Sequence, residues 1–301
     1  MKRWTLLAAL VAGPLLGMTS AFGAAVFDGT IGDNAPGTER SGSFEIGQAD
    51  GEVAGNNLFH SFSSFGVASG EQATFSHSSA NIAHIIARVT GNQATEIYGN
   101  MQVRRASGNI LSPTSAALWL LNPNGIFIGD GASFDPQSSF VFSTANRLGF
   151  ANGDDFFTHE TAISPQLSIA NPTAFGFLDK QALPSNVTPR GIVLAVADAD
   201  NANSPLLLSN MTLVGSSTDP DFAGVTIAGD IATPVDPFAV LAPADSSQYQ
   251  AFNLSLGALA PGGVIAVDVE SGNTLSSAAD ASLAGVLIQN SNLLFSDNAA
   301  V

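Results

Sequence analysis

Four histidines, His60, His77, His84 and His159, are the side chains best suited to bind a metal or move a proton near neutral pH. None stands in a ligand pair such as His-x-x-x-His. His60 lies inside Phe59-His60-Ser61-Phe62, and a strand interior favours a structural, hydrogen-bonded imidazole over a ligand. Asp198-Ala199-Asp200-Asn201-Ala202-Asn203 offers oxygens at alternate positions. A calcium loop needs a further oxygen, a Gly at the sharp turn and a distal Glu, so this stretch reads as a polar loop. Asp130 and Asp135, on either side of a turn and strand, take the same reading. There is no Gly-x-Ser-x-Gly elbow and no cysteine, so nucleophilic acyl transfer lacks its attacking group. Glycoside or pectin cleavage would require two carboxylates to converge, and no spacing in the chain indicates such a pair. The expectation is a non-enzymatic protein with no catalytic residue, no metal and no cofactor.

The most informative residues are Asn122-Pro123-Asn124-Gly125, set between the apolar runs Trp119-Leu120-Leu121 and Ile126-Phe127-Ile128. Pro presets φ at the second turn position, Asn suits the third, and Gly accepts φ > 0 without steric cost. The element reads as strand, tight turn, strand. Asn122 and Asn124, with Asn57 as a secondary candidate, could fix a turn through side-chain hydrogen bonds or mark a surface read by a partner.

Composition describes what must hold these residues. The 301-residue chain has 9 basic and 25 acidic side chains, a net charge of −16 and only 11% charged residues. Lys2 and Arg3 precede an apolar run from Leu6 to Leu16, and small residues follow at Ala21, Gly23, Ala24 and Ala25. This is the pattern of a secretory signal peptide over residues 1–25, cleaved between Gly23 and Ala25. The run is short for a membrane span and is interrupted by Gly13-Pro14. Cleavage removes two positive charges and takes the net from −16 to −18. The scattered basic residues that remain form no patch for phosphates, which excludes a nucleic-acid partner and an anionic membrane surface. Without disulfides, hydrogen bonding and packing must hold the exported chain together.

From Asn57 to Phe150, runs of three to seven β-prone residues recur between Gly, Asn and Asp turn signals. The tail repeats the pattern in Gly191-Ile192-Val193-Leu194, Met211-Thr212-Leu213-Val214-Gly215, Gly224-Val225-Thr226-Ile227 and Gly285-Val286-Leu287-Ile288. Such triplets suit an all-β, single-stranded solenoid, the parallel β-helix, with about 20–25 residues per coil and on the order of a dozen rungs. A sandwich or jelly roll is the structural rival. The phenylalanines Phe59, Phe62, Phe65, Phe127, Phe134, Phe140 and Phe142 are expected to stack in successive rungs, because Phe lacks the polar handle of a sugar platform. Segments 151–190 and 231–256 are looser and read as extra-helical excursions or edge covers.

Asn57-Leu58-Phe59-His60-Ser61-Phe62, Arg88-Val89-Thr90-Gly91, Leu121-Asn122-Pro123-Asn124-Gly125-Ile126, Gly129, Ser139-Phe140 and Ser143-Thr144-Ala145 occur in the order seen in one known family. With Asn171-Pro172-Thr173-Ala174-Phe175-Gly176-Phe177-Leu178, they resemble the two-partner secretion, or haemagglutination-activity, domain of filamentous haemagglutinin-like exoproteins. The resemblance covers Ala25 to Leu178 well and the remainder loosely. It implies a right-handed parallel β-helix with an N-terminal cap. It also implies passage through the periplasm and export by an outer-membrane β-barrel transporter whose POTRA domains bind the secretion domain in extended form. On this reading residues 26–190 are the secretion domain and 191–301 continue the coils. No long repeat array or toxin domain precedes Val301, so a short or truncated member is expected. The expected role is an adhesin at the cell surface, meeting a host or neighbouring-cell surface. The alternatives are a β-helix polysaccharide lyase or hydrolase and a haem- or carbohydrate-binding module.

Overall fold

The computed structural model describes residues 23–129, 131–135, 138–159, 167–176, 191–195, 206–207, 210–215, 225–228, 231–232, 254–258, 265–266 and 286–289. The leader up to residue 22, Asp130, the Asp198–Asn203 loop and most of 231–256 lie outside them. Strands β1 (Ala24–Phe27), β2 (Glu39–Ser41), β3 (Phe44–Ile46) and β4 (Glu52–Ala54) lead into the long β5 (Asn57–Val67). There follow β6 (Gln72–His77), β7 (His84–Val89), β8 (Thr95–Ile97), β9 (Asn100–Ser107) with its hairpin partner β10 (Ile110–Pro113), β11 (Ala117–Leu121) and β12 (Ile126–Ile128). Next come β13 (Ser133–Phe134), β14 (Ser139–Ser143), the excursion β15 (Arg147–Phe150), β16 (Asp155–Phe157) and β17 (Pro172–Gly176), and then β18 (Ile192–Ala195). The chain continues through β19 (Leu206–Leu207), β20 (Asn210–Gly215), β21 (Val225–Ala228), β22 (Ile231–Ala232), β23 (Leu254–Ala258), β24 (Ile265–Ala266) and β25 (Val286–Gln289).

The pairing is cyclic. One face stacks β5, β7, β11, β14, β20 and β23, all parallel. A second stacks the end of β5 with β8, β12, β18, β21 and β25. A third stacks β3, β6, β9, β13, β19 and β22. Through β23 each circuit of the chain adds one strand to each face, and β25 and then β24 extend the second face beyond β21, so the described residues form an all-β, solenoid-like stack of parallel strands. A single 3-10 turn, Gln48–Asp50, is the only helical element among them. Parallel stacking in register explains the triplets, since each inward position recurs directly above its predecessor. Leu58, Ile85, Leu118, Phe140 and Met211 form one such column, all buried in the main core.

The exposed edge of β5 is a hazard for strand addition. β4 and β1 occupy it, pairing antiparallel with Asn57–Phe59 and with Phe62–Phe65 respectively. A second core lies outside the first face. There Phe59, Ile86 and Leu121 point outward and meet Leu148, Phe150 and Phe156 of the antiparallel β15–β17 sheet. The expected stack of phenylalanines is corrected at two positions. Phe59 belongs to this outer core, and Phe127 also leaves the inner stack: Ile126 and Ile128 take the inward positions, and Phe127 sits outside against Tyr98.

Candidate functional site

Asn122 begins where β11 ends, and it is completely buried. Its Nδ2 donates to the Gln93 carbonyl at 2.9 Å and to Thr95 Oγ1 at 3.0 Å, both on the preceding coil. Its Oδ1 accepts from the Asn124 N–H at 3.0 Å and from Asn124 Nδ2 at 3.2 Å, closing an Asx turn. Asn124 Nδ2 also donates to the Gly91 carbonyl at 2.8 Å. The Gly125 N–H closes the four-residue turn on the Asn122 carbonyl at 3.1 Å, with Pro123 buried between them and Gly125 at φ 107°. That φ belongs to glycine, since a Cβ there would meet the backbone. The Thr95 N–H then reaches the Gly125 carbonyl, and the Asn122 N–H reaches Ser143 of the next coil. The corner therefore joins three coils, with the buried Asn122 and Asn124 amides paired throughout.

Asn57 is equally buried and serves the outer sheet. Its Nδ2 donates to the carbonyls of Ser168 (2.8 Å) and Ala170 (2.7 Å), which pins the excursion to the start of β5. His60 points inward, in the column of Ala87, Leu120 and Phe142, with its ring against Phe62 and Phe75. Neither ring nitrogen makes a hydrogen bond of ordinary geometry, although the Asp50 backbone lies close enough to favour the protonated ring. The ring lies instead beneath Gly51, where a Cβ would stand 2.7 Å from Nδ1. The register of β5 forces this, because the flanking Phe59 and Ser61 serve the outer side.

Burial holds the His60 pKa down to about 4 from 6.5, although the Asp50 charge and backbone pull the other way. In the pH window between 6.5 and about 4 the unfolded chain binds a proton that the folded chain refuses. Stability therefore falls as pH falls through that window, by about 3 kcal/mol at its lower end. Replacing His60 with Leu should remove this component. Urea unfolding at neutral pH and just above pH 4 should show a smaller acid loss in the variant than in the parent.

The remaining sequence candidates are dispersed. His77 gives its Nδ1 proton to the Ser79 carbonyl and meets Thr114 through Nε2. His84 packs edge-on against Trp119, and His159 packs against Phe157. Asp135 is taken up by Arg104 and by Ser138.

One constellation was not expected as a site, although Ser61, Arg88 and Thr90 lie in stretches that carry the family resemblance. Arg88 is fully buried on the outer side of β7. Its Nε donates to Ser61 Oγ (2.8 Å), Nη1 to the Phe157 carbonyl (2.5 Å) and Nη2 to Thr30 Oγ1 (3.1 Å), while the guanidinium stacks 4.8 Å above Phe156. Ser61 and Thr30 in turn donate to Asp28, as does Thr90. Burial raises the Asp28 pKa, but these bonds and one from the Thr30 N–H outweigh it and hold the carboxyl below its usual value. The network ties the N-terminal cap, β5, β7 and β16 into one unit. A signal for it exists in the chain: within His84–Val89 the outward partner of Arg88 is Ile86, an apolar residue that makes sense only beneath a cover.

Asn57, Asn122, Asn124, Arg88 and Asp28 are thus engaged in holding coils, cap and outer sheet together. A family model for the TPS secretion domain matches residues 24–298 of the chain. No curated protein and no solved structure gives a significant match.

Proposed function

The chain belongs to the TPS secretion domain family, and from this premise we propose that it is a non-enzymatic exoprotein exported by a two-partner secretion system and used in adhesion at the cell surface. The observation that carries the reading is the match over residues 24–298, which spans the cap and the stacked coils alike. Residues 1–25 serve as a Sec signal peptide, residues 26–190 as the secretion domain, and residues 191–301 as further coils of a right-handed parallel β-helix. The partner is an outer-membrane β-barrel transporter whose periplasmic POTRA domains take the unfolded secretion domain in extended form.

The topology supports a vectorial mechanism. β1 and β4 occupy one edge of β5, which leaves its other edge to receive β7. Through β23 each later strand adds to the one before it on its own face, so folding of these coils proceeds from the cap toward the C-terminus as the chain emerges. Asn122, Pro123, Asn124 and Gly125 act as a coil corner in this process, and Asn57 and His60 position the first rung. The carboxylates Asp28, Asp50, Asp135 and Asp155 are engaged with hydroxyl, amide or arginine donors, which favours a scaffold over acid–base catalysis.

Expression in a host with and without the cognate barrel transporter tests the proposal. Release into the medium should depend on the transporter, and the chain should otherwise remain in the periplasm. Equal release in both hosts would overturn it.

A further inference from the structure

The corner that joins the coils also contains a chemically labile bond. The chain has two Asn-Gly pairs, Asn124-Gly125 and Asn152-Gly153. In a flexible chain an Asn-Gly pair loses its side-chain amide readily, because glycine offers no side chain to hinder its own nitrogen. The other corner asparagine is immune to this route, because Pro123 follows it and its nitrogen carries no hydrogen.

We infer that Asn124 is a modification site. In the unfolded chain it deamidates, and closure of the corner protects it. The Gly125 nitrogen attacks Asn124 Cγ, the bond from Cγ to the side-chain nitrogen breaks, and ammonia leaves with the proton from the Gly125 amide. The resulting succinimide is opened by water at either carbonyl, which leaves aspartate or isoaspartate.

The folded geometry blocks each requirement. The Gly125 N–H is held on the Asn122 carbonyl at 3.1 Å. The Asn124 amide is held by the Gly91 carbonyl and by Asn122 Oδ1, and the residue is 2% exposed. Asn152 lies in an exposed turn at the tip of the β15–β16 hairpin, with its amide bonded to Asp154 and its Oδ1 accepting from the Asp154 N–H and the Ser168 hydroxyl; the Gly153 N–H is likewise held, on the Phe150 carbonyl at 2.9 Å, so what sets this pair apart is its exposure to solvent. The two pairs therefore share a sequence and differ in environment.

The product would not fit the corner. Asn124 Nδ2 is a donor facing two oxygens, the Gly91 carbonyl and Asn122 Oδ1. A carboxylate in its place sets oxygen against oxygen in a buried site, and isoaspartate also lengthens the backbone across the turn. A chain held unfolded for long before export thus loses its capacity to fold. That consequence rests on the export reading, whereas the chemistry does not.

The test needs no transporter. The mature chain is incubated in urea and in native buffer at the same mildly alkaline pH, and conversion at each pair is followed by peptide mapping that separates isoaspartate. In urea both pairs should convert at similar rates. In native buffer conversion at Asn124 should fall at least ~10-fold below that at Asn152, as for a group that reacts only from an opened state. Equal conversion of Asn124 in the two conditions would overturn the assignment. On dilution of the urea sample, chains converted at Asn124 should be missing from the protease-resistant fraction while chains converted at Asn152 remain in it. Their presence in that fraction in undiminished proportion would overturn the folding consequence.

Discussion

Replacing Arg88 with Met is expected to destabilise the protein by about 3–5 kcal/mol, because it removes one partner from a buried charged network. Met approximates the volume of the stem but makes no hydrogen bonds. Ser61 Oγ and Thr30 Oγ1 would each lose a donor in a buried site, and the Phe157 carbonyl would lose one in a part-buried site. The loss does not stop at Arg88. Asp28 stays ionised because Ser61, Thr30 and Thr90 donate to it, and two of those hydroxyls are oriented by the guanidinium. Lys should recover only part of the loss, since a compact ammonium cannot reach three acceptors spread over the cap, β5 and β16. Urea unfolding reads the total. Limited proteolysis adds the location: β15–β17 should become cleavable before the coils do, because Phe156 and the Phe157 carbonyl are where Arg88 holds that sheet. A Met variant with unchanged unfolding would contradict the network's role.

Acid should act on the same network from the other side. The Asp28 carboxyl has a folded pKa below 3.8, so its contribution is complete above that value and is lost as pH falls through the folded pKa. His60 titrates earlier on the way down, between 6.5 and about 4. Of these two groups the inner-core imidazole therefore responds first on acidification and the outer network last, both within the first two coils and their cap.

The parts legible from sequence were those whose physics is local. Ile85, Ala87 and Val89, like Leu118 and Leu120, alternate with outward residues and are bounded by turn formers, and these runs became the strands of the first face. The strands that escaped notice are defined by distant partners. Ala24–Phe27 and Glu52–Ala54 carry little pattern of their own and are strands because the edge of β5 receives them. Pro172–Gly176 sits in a stretch that reads as loose, yet it pairs with β15 over the outer core, where Phe175 stacks on Trp119. The corner at Asn122 was legible as a turn because Pro123 and Gly125 restrict it locally. The coils it joins were not, since Gln93, Thr95 and Ser143 lie a full circuit away in the chain. His60 was legible as a core residue by type and place, but its unpartnered nitrogens depend on how closely Gly51 passes over the ring.

Asn122 should be the most sensitive position of the corner, and its variants separate a folding element from a transporter-recognition element. Ala removes both donors and the acceptor at once. The Thr95 hydroxyl and the Asn124 N–H are left without their partner in a buried corner, and the Gln93 carbonyl loses its donor nearer the surface, a loss of about 2–4 kcal/mol. Asp keeps the acceptor for the Asn124 N–H, and Thr95 can rotate its hydroxyl to donate. The Gln93 carbonyl has no such option and would face a carboxylate oxygen, so Asp should lie between Ala and the parent at neutral pH. Gln offers the same groups on a longer stem that cannot close the Asx turn, and it should resemble Ala. Measuring both the unfolding midpoint of each purified variant and the fraction of chain released through the transporter tests the assignment. If the corner acts through folding, release should fall in the same order as stability: parent, Asp, then Gln and Ala. An Asn122→Ala chain that keeps the parent's stability and is not released would move the corner to the transporter's recognition surface. The bonds to Gln93 and Thr95 argue for the first outcome, because they turn the asparagine toward its own preceding coil and away from any partner.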